Sequence, residues 1–319
     1  MTKYARKNRC YCRTCHALFA YPDGKHEHHR VISGLSSFTL AMPSYFLEPL
    51  EESSEHQYFF SMEWLKFMAS TLRILQIDNV LCVGTPRLEP LSINKFLLDL
   101  DARLERFYST SLFARFNALN GHFFNSTGVD SFDRFIRSCS GRTIIFCDPP
   151  FGALMKPLVE TLNKLKQGLG SSQVFLVVTI PYFIGKKLLQ VAPELKMLDY
   201  KVIEGHDGID SKRRVSVVRP FTDVPAHEFL PPKSLANQYW FCETCQRYSD
   251  LKNLHCDQCN ACTTITYQHC ASCNTCRPPG SKHCDKCGMC FRPKADEVHD
   301  CDRHVSESPE RPNCRKVST

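Results

Sequence analysis

The chain has 319 residues, of which 43% are hydrophobic, and a formal net charge of +7. That length accommodates one full α/β domain plus smaller modules, and the apolar content supports a buried core. No apolar run approaches a membrane span and none follows the charged start Met1-Thr2-Lys3-Tyr4, so neither a membrane helix nor a secretory signal is expected. The positive charge suits a polyanion partner without requiring one.

The 19 cysteines are unevenly placed: thirteen lie between Cys242 and Cys314, and Cys10, Cys12 and Cys15 lie near the start. Only Cys82, Cys139 and Cys147 fall between. In the reducing compartment that a missing signal implies, clustered Cys with interleaved His reads as zinc ligation and not disulfide bonding.

In chain order, residues 1–34 form a candidate zinc finger of Cys2His2 type, Cys12-x2-Cys15-x10-His26-x2-His29, with Cys10 and His28 as nearby spares. The His spacing is shorter than in DNA-reading fingers, so groove reading by a finger helix is not expected.

Residues 35–227 alternate helix-like and strand-like runs. A helix is predicted near 63–76, strands at 79–83, 95–99 and 143–147, and a helix near 154–166. A strand at 173–178, a helix near 183–191 and late strands near 196–203 and 215–219 follow. Such alternation predicts a Rossmann-type, mostly parallel sheet with helices on both faces, binding ligands at the carboxyl ends of its strands.

The strand Val80-Leu81-Cys82-Val83 ends in Gly84-Thr85-Pro86. Gly84 would let a cofactor approach the backbone closely, although many strands end in Gly and no GxGxG pattern is present. One strand later, Asp99 and then Asp101 stand where the two hydroxyls of a ribose need acceptors. Asn117, Asn120, His122, Phe123 and Phe124 either line the adenine or methionine side of a cofactor or form a solvated helix end followed by core aromatics.

Asp148-Pro149-Pro150-Phe151-Gly152 directly follows an apolar strand, which puts it on the loop at the ligand-binding edge. An exocyclic adenine amine is a poor nucleophile because its lone pair is delocalised into the ring. Two acceptors aimed at its hydrogens free that pair: the Asp148 carboxylate and the Pro149 carbonyl, on a loop stiffened by Pro149 and Pro150, with Phe151 stacked on the base. The bland alternative is an Asp-Pro-Pro turn ending a buried strand. The basic stretch Lys212, Arg213 and Arg214 grips RNA phosphate or is a solvated hairpin tip.

Pro231-Pro232 separates this domain from a Cys/His-rich one at 233–304, and a polar, disordered tail is expected at 305–319. His-Cys-x2-Cys-x2-Cys occurs three times, from His255, His269 and His283, each start fourteen residues after the last. Interleaving gives three Cys3His sites: Cys242, Cys245, His255 and Cys262; Cys256, Cys259, His269 and Cys276; Cys270, Cys273, His283 and Cys290. Cys284 and Cys287 with His299 and Cys301 form a weaker fourth. The alternative keeps each His with its adjacent Cys triplet. About four to five zinc ions are expected in all. Few apolar residues lie here, so metal must replace a core. Lys252, Lys282, Lys286, Arg292 and Lys294 with Tyr248, Tyr267 and Phe291 would suit phosphate contact and base stacking, against plain scaffolding or protein contact.

Taken together, Arg9-Cys10-Tyr11-Cys12-Arg13-Thr14-Cys15, Val80 to Leu88, the Asp148 motif, Leu198-Asp199-Tyr200, Phe241-Cys242-x2-Cys245-Gln246-Arg247-Tyr248 and the His-Cys repeats resemble the zinc-knuckle (CCHC-type zinc-finger-containing) family of ribosomal RNA adenine N6-methyltransferases. The resemblance implies class I methyltransferase architecture, S-adenosylmethionine as donor, a stem-loop of large-subunit rRNA as substrate, a role in translation, and a nucleolar or cytoplasmic location. It also implies a further GRF-type finger in longer members, ahead of the Cys2His2 segment, which this sequence does not contain. Rival readings are an RNA- or partner-binding zinc protein with an inactive methyltransferase fold, and a DNA adenine or protein amide methyltransferase.

Overall fold

The computed structural model describes residues 1–43, 46–47, 60–88, 93–170, 173–202, 216–231 and 233–293. They fall into two compact units, Met1–Ala236 and a second beginning at Asn237. The expected finger at 1–34 therefore does not stand apart from the domain that follows it.

The first unit opens with a small antiparallel sheet of β1 (Arg9–Cys12), β2 (Ala17–Ala20) and β3 (Val31–Ser33), in the order β2-β1-β3. A short helix α1 (Ser37–Ala41) leads to α2 (Met62–Ile74), which starts where the Ser61 hydroxyl accepts the Trp64 amide at 3.3 Å. Strands β4 (Asn79–Val83), β5 (Asn94–Asp99), β6 (Phe113–Asn117) and β7 (His122–Phe123) follow, then α3 (Ser126–Ser138), capped by Asn125. Next come β8 (Arg142–Cys147), α4 (Met155–Gly168), β9 (Gln173–Pro181), α5 (Gly185–Val191), β10 (Lys196–Met197) and β11 (Val218–Thr222).

These last eight strands form one sheet in the order β10-β11-β9-β8-β4-β5-β6-β7. β9, β8, β4, β5 and β6 are parallel, while β11 and β7 run antiparallel to their neighbours. This is a class I methyltransferase-like, Rossmann-type arrangement. Alternation along each strand sorts the core. Leu81, Val83, Ile145, Cys147, Leu176 and Val178 join one apolar cluster with Phe132, Phe135, Leu158, Leu162 and Leu188 of α3, α4 and α5. Phe67 of α2 meets Tyr200 and Phe229 edge-on at 5.4 and 5.8 Å.

Strand order reverses between β4 and β8: the chain first builds outward through β5 and β6, then returns to add β8 and β9 on the other side. A crevice opens at such a point, at the carboxyl ends of the strands. β6 and α3 lie outside the elements read from the sequence: Arg115 interrupts the apolar run of β6, and α3 buries only Gly128, Ser131, Phe132 and Phe135. The Arg115 guanidinium stacks over Phe124 at 4.1 Å. Of the late strands, β10 is only two residues long, and β11 has the expected length but lies three residues later in the chain.

The second unit is a series of hairpins: β12 (Tyr239–Cys242) with β13 (Arg247–Asp250), β14 (Asn253–Cys256) with β15 (Ala261–Thr264), β16 (Gln268–Cys270) with β17 (Thr275–Arg277), and β18 (Lys282–Cys284) with β19 (Met289–Phe291). Each turn is a Cys-x2-Cys knuckle closed by a left-handed residue: Gln246 (φ 51°), Asn260 (48°), Asn274 (48°) and Gly288 (67°). The fourteen-residue period is thus one hairpin. His16 (φ 51°) holds the same place after Cys12-x2-Cys15. Among the described residues, no helix is long and apolar enough to cross a membrane.

Candidate active site and metal centres

At the reversal point lies a cavity of about 540 Å³, a volume suited to a nucleoside-sized ligand. Val83 and Gly84 line it at the end of β4, Asp99 at the end of β5 and Asp101 just beyond it, Asn117 at the end of β6, Cys147 at the end of β8, and Asp148, Pro149, Pro150 and Phe151 from the loop after β8. The structure thus gathers the acidic pair and the Asp-Pro-Pro-Phe loop, 49 positions apart from Asp99 to Asp148, around one space. Thr85 and Pro86 are not part of it. They line a separate small cleft with Cys82, Lys95, Leu97 and Tyr108, because the left-handed turn at Gly84 carries the next residues away.

Gly84 has a reason that the sequence did not suggest. A Cβ there would meet the backbone carbonyl oxygen of Asp148 at 2.9 Å, and its φ is +67°. The glycine admits the Asp148 loop, which the amide of Asp148 secures by donating to the Val83 carbonyl at 3.1 Å.

The two aspartates differ in what holds them. Asp101 forms a buried ion pair with Arg103: Nη2 to Oδ2 is 2.7 Å, and Nε lies 2.9 and 3.0 Å from Oδ1 and Oδ2. It also caps the following 3-10 turn Ala102–Arg106 by accepting the Arg103 amide. Asp99 accepts the amide of Asp101 at 2.9 Å. Burial pushes its carboxyl up to about 7. A buried carboxyl facing a cavity suits a pair of ribose hydroxyls better than one clasped, as Asp101 is, by a guanidinium. Asn117 also braces its loop, its Oδ1 accepting the Leu119 amide at 2.9 Å. His122 and Phe123 form β7, and Phe123 packs on Phe116 and Phe132 in the core.

Thr179 was invisible to sequence reasoning. Its hydroxyl donates to Asp148 Oδ1 at 2.5 Å from the neighbouring strand β9. His16 was equally hidden: it comes from the N-terminal module and lines the same cavity. No local pattern marks either residue, since both act across strands that the chain joins only in three dimensions.

Four Cys/His groups have ligand atoms close enough to share an ion, within 4.8 Å of one another. They are Cys12, Cys15, His26 and His29; Cys242, Cys245, His255 and Cys262; Cys256, Cys259, His269 and Cys276; and Cys270, Cys273, His283 and Cys290. In the tail, thiol to Nδ1 separations run from 3.1 to 3.8 Å. Thiol pairs lie 3.4 to 3.7 Å apart. Tetrahedral zinc with sulfur at about 2.3 Å and nitrogen at about 2.0 Å needs neighbouring ligand atoms about 3.5–3.8 Å apart, so the donor set fits zinc.

The hairpins explain the interleaving. His255 pairs across its hairpin with Cys262, His269 with Cys276, and His283 with Cys290. Cross-strand partners point to one face, while Cys256, next to His255, points to the other. Each site therefore joins the knuckle of one hairpin to the cross-strand pair of the next. Asp257 and Asp285 stand 3.5 and 3.7 Å from Nε2 of His255 and His283, positions that favour a proton on Nε2 and a lone pair on Nδ1. The partners expected for Cys284 and Cys287, His299 and Cys301, lie outside the described residues, as do Lys212, Arg213, Arg214, Lys294 and 305–319. Cys10 is wholly buried against Cys12 and Phe19, a core position.

Fold, cavity and Cys/His groups define a class I methyltransferase-like protein carrying zinc-type knuckles. Comparison with known proteins gives its relatives. Residues 51–207 match the family described as Probable N6-adenine methyltransferase. The chain is 35% identical to the rRNA N(6)-adenosine-methyltransferase ZCCHC4 of Homo sapiens over 274 residues, 77% of this chain and 53% of that protein. It is 35% identical to the Bos taurus protein over 275 residues, with the same coverage, and 32% identical to the Xenopus tropicalis protein over 279 residues, 80% of this chain and 57% of that one. The resemblance drawn from the motifs stands. The chain spans about half the length of the curated relatives it matches.

Proposed function

We propose that this protein transfers a methyl group from S-adenosylmethionine to N6 of an adenosine in RNA, with a stem-loop of large-subunit rRNA as the substrate. The observation that carries this reading is the single cavity bounded by Gly84 and Asp99 on one side and by Asp148-Pro149-Pro150-Phe151 on the other. The names of the relatives favour rRNA over DNA or a protein amide.

When bound, S-adenosylmethionine supplies an electrophilic methyl on a sulfonium centre. Asp99 holds the ribose, and Val83, Gly84 and Asn117 shape the space around the nucleoside. Asp148 and the Pro149 carbonyl accept the two hydrogens of the target amine, which localises the nitrogen lone pair for attack. Thr179 fixes the rotation of the Asp148 carboxylate, and Phe151, on the exposed lip, stacks on the base. No strong base is needed, because the amine proton becomes acidic only as the new C–N bond forms.

Zinc in the four Cys/His groups replaces a hydrophobic core in the tail and braces the N-terminal module. The tail offers RNA an exposed set including Leu254, Ile265 and Tyr267 beside Lys252 and Lys282. A nucleolar and cytoplasmic location follows from such a substrate, and imaging of the tagged protein checks it. The test of function is transfer of tritiated methyl to rRNA stem-loops, with nucleoside mass spectrometry of the product and of rRNA from cells lacking the protein. Appearance of N6-methyladenosine is expected. Cofactor binding without transfer to any RNA would identify an inactive binding protein, and transfer to DNA or to a protein amide alone would move the substrate class.

A further inference from the structure

One part of the cavity wall is not supplied by the sheet. His16 belongs to the N-terminal module, follows the knuckle Cys12-x2-Cys15, and is exposed at the cavity that Asp99, Asp101 and Asp148 also line. Its φ of 51° is the left-handed conformation adopted by Gln246, Asn260, Asn274 and Gly288 after the tail knuckles. The backbone at residue 16 is therefore dictated by the knuckle, while its side chain lines the cavity.

One contact holds the ring there, from a residue that is itself held. The Tyr11 hydroxyl lies 3.0 Å from His16 Nδ1, within hydrogen-bond distance. Tyr11, only 2% exposed, is itself locked between Phe46 and Phe107, with ring centres at 5.3 and 5.6 Å. Phe107 ends the turn Ala102–Arg106 that follows the Asp99 strand. With Nδ1 engaged by Tyr11, Nε2 is the ring nitrogen that remains for a ligand. The knuckle, the turn after β5 and the cavity are thereby one mechanical piece, within the single unit Met1–Ala236.

We propose that His16 contacts the nucleoside cofactor directly, so that metal binding at Cys12, Cys15, His26 and His29 sets cofactor affinity as well as local folding. Tyr11 is the positioning residue that acts through His16. The cofactor contact falls at the nucleoside end, because Tyr11, which holds His16, packs on Phe107 at the end of the turn that follows the Asp99 strand. The inference rests on the reading of this cavity as the S-adenosylmethionine site.

The test is calorimetric titration of the zinc-loaded full chain with S-adenosylhomocysteine. His16→Asn places at this position the residue already found at 260 and 274, so the left-handed backbone is kept. Zinc content and melting temperature should be unchanged, while affinity should fall about three- to tenfold, the range for one lost hydrogen bond. Tyr11→Phe should weaken binding in the wild-type background but not in the His16→Asn background. Cys15→Ser should release one zinc and lose at least as much affinity as His16→Asn. Wild-type affinity in His16→Asn with full zinc content would overturn the proposal and leave the cofactor site standing. Failure of the wild-type chain to bind S-adenosylhomocysteine would overturn the cofactor site itself, and this proposal with it.

Discussion

The Thr179 hydroxyl donates to Asp148 Oδ1 at 2.5 Å, linking the carboxyl end of β9 to the loop that follows β8. Thr179 is wholly buried and Asp148 half-buried, so this hydrogen bond is shielded from water on the Thr179 side. Thr179→Val keeps the shape of the side chain and removes the donor. Methyl transfer should fall by about tenfold or more, since a hydrogen bond to a charged group is worth about 1.5–3 kcal/mol. Asp148→Ala should cost about 100- to 1000-fold, the usual loss when one preorganised group at the reacting centre is removed. Both variants should bind S-adenosylhomocysteine as the wild type does. Single-turnover rates on an rRNA stem-loop check this, and a wild-type rate in Asp148→Ala would remove the residue from the reaction.

Gly84→Ala should damage stability and activity together. The added methyl meets the Asp148 carbonyl oxygen at 2.9 Å, and the φ of +67° disfavours any side chain. Alanine at a positive φ costs more than the roughly 0.4–1 kcal/mol it gains elsewhere by restricting the unfolded chain. A lowered melting temperature with a displaced catalytic loop is expected. An unchanged melting curve would show that the loop yields freely.

Asp99 should make cofactor binding depend on pH. Its carboxyl is pushed up to about 7, chiefly by burial, from an unfolded value of 3.8. The empty fold thus holds this proton more tightly than the unfolded chain does. The stability this confers is complete below 3.8 and is lost as pH rises through about 7. Ribose hydroxyls need the ionised acceptor, so affinity should rise between about pH 6 and 8, with proton release on binding. Asp99→Asn should weaken binding and flatten that rise, while leaving RNA affinity unchanged. Asp101→Asn should act on the fold instead, because breaking one partner of a buried ion pair costs about 3–5 kcal/mol. Calorimetry in two buffers of different ionisation enthalpy, with thermal melts, separates the two residues; a flat pH profile in the wild type would remove Asp99 from the ribose.

Cys256→Ser should lower zinc content by one ion and loosen two hairpins, since its site joins the knuckle of β14–β15 to the cross-strand pair His269 and Cys276 of β16–β17. RNA binding and methylation should both fall, and S-adenosylhomocysteine affinity should persist because its pocket lies in the other unit. Hydrogen exchange and a filter-binding assay check this. Unaltered RNA affinity would make the tail a module for protein partners.

What the sequence determined by itself was everything carried by short-range pattern. Alternating apolar runs marked β4, β5, β8 and β9, Asp148 fell at a strand end, and the fourteen-residue period marked the repeated hairpins and the interleaved ligand sets, because neighbouring strand residues must face opposite ways. What only the tertiary structure decided were relations between distant strands. The approach of Asp148 explains Gly84, the Arg103 pair separates Asp101 from Asp99, Thr179 reaches Asp148 from the next strand, and His16 reaches the cavity from a segment with no local mark. Such contacts depend on strand order and on how the N-terminal module packs, and neither is written in the spacing of adjacent residues.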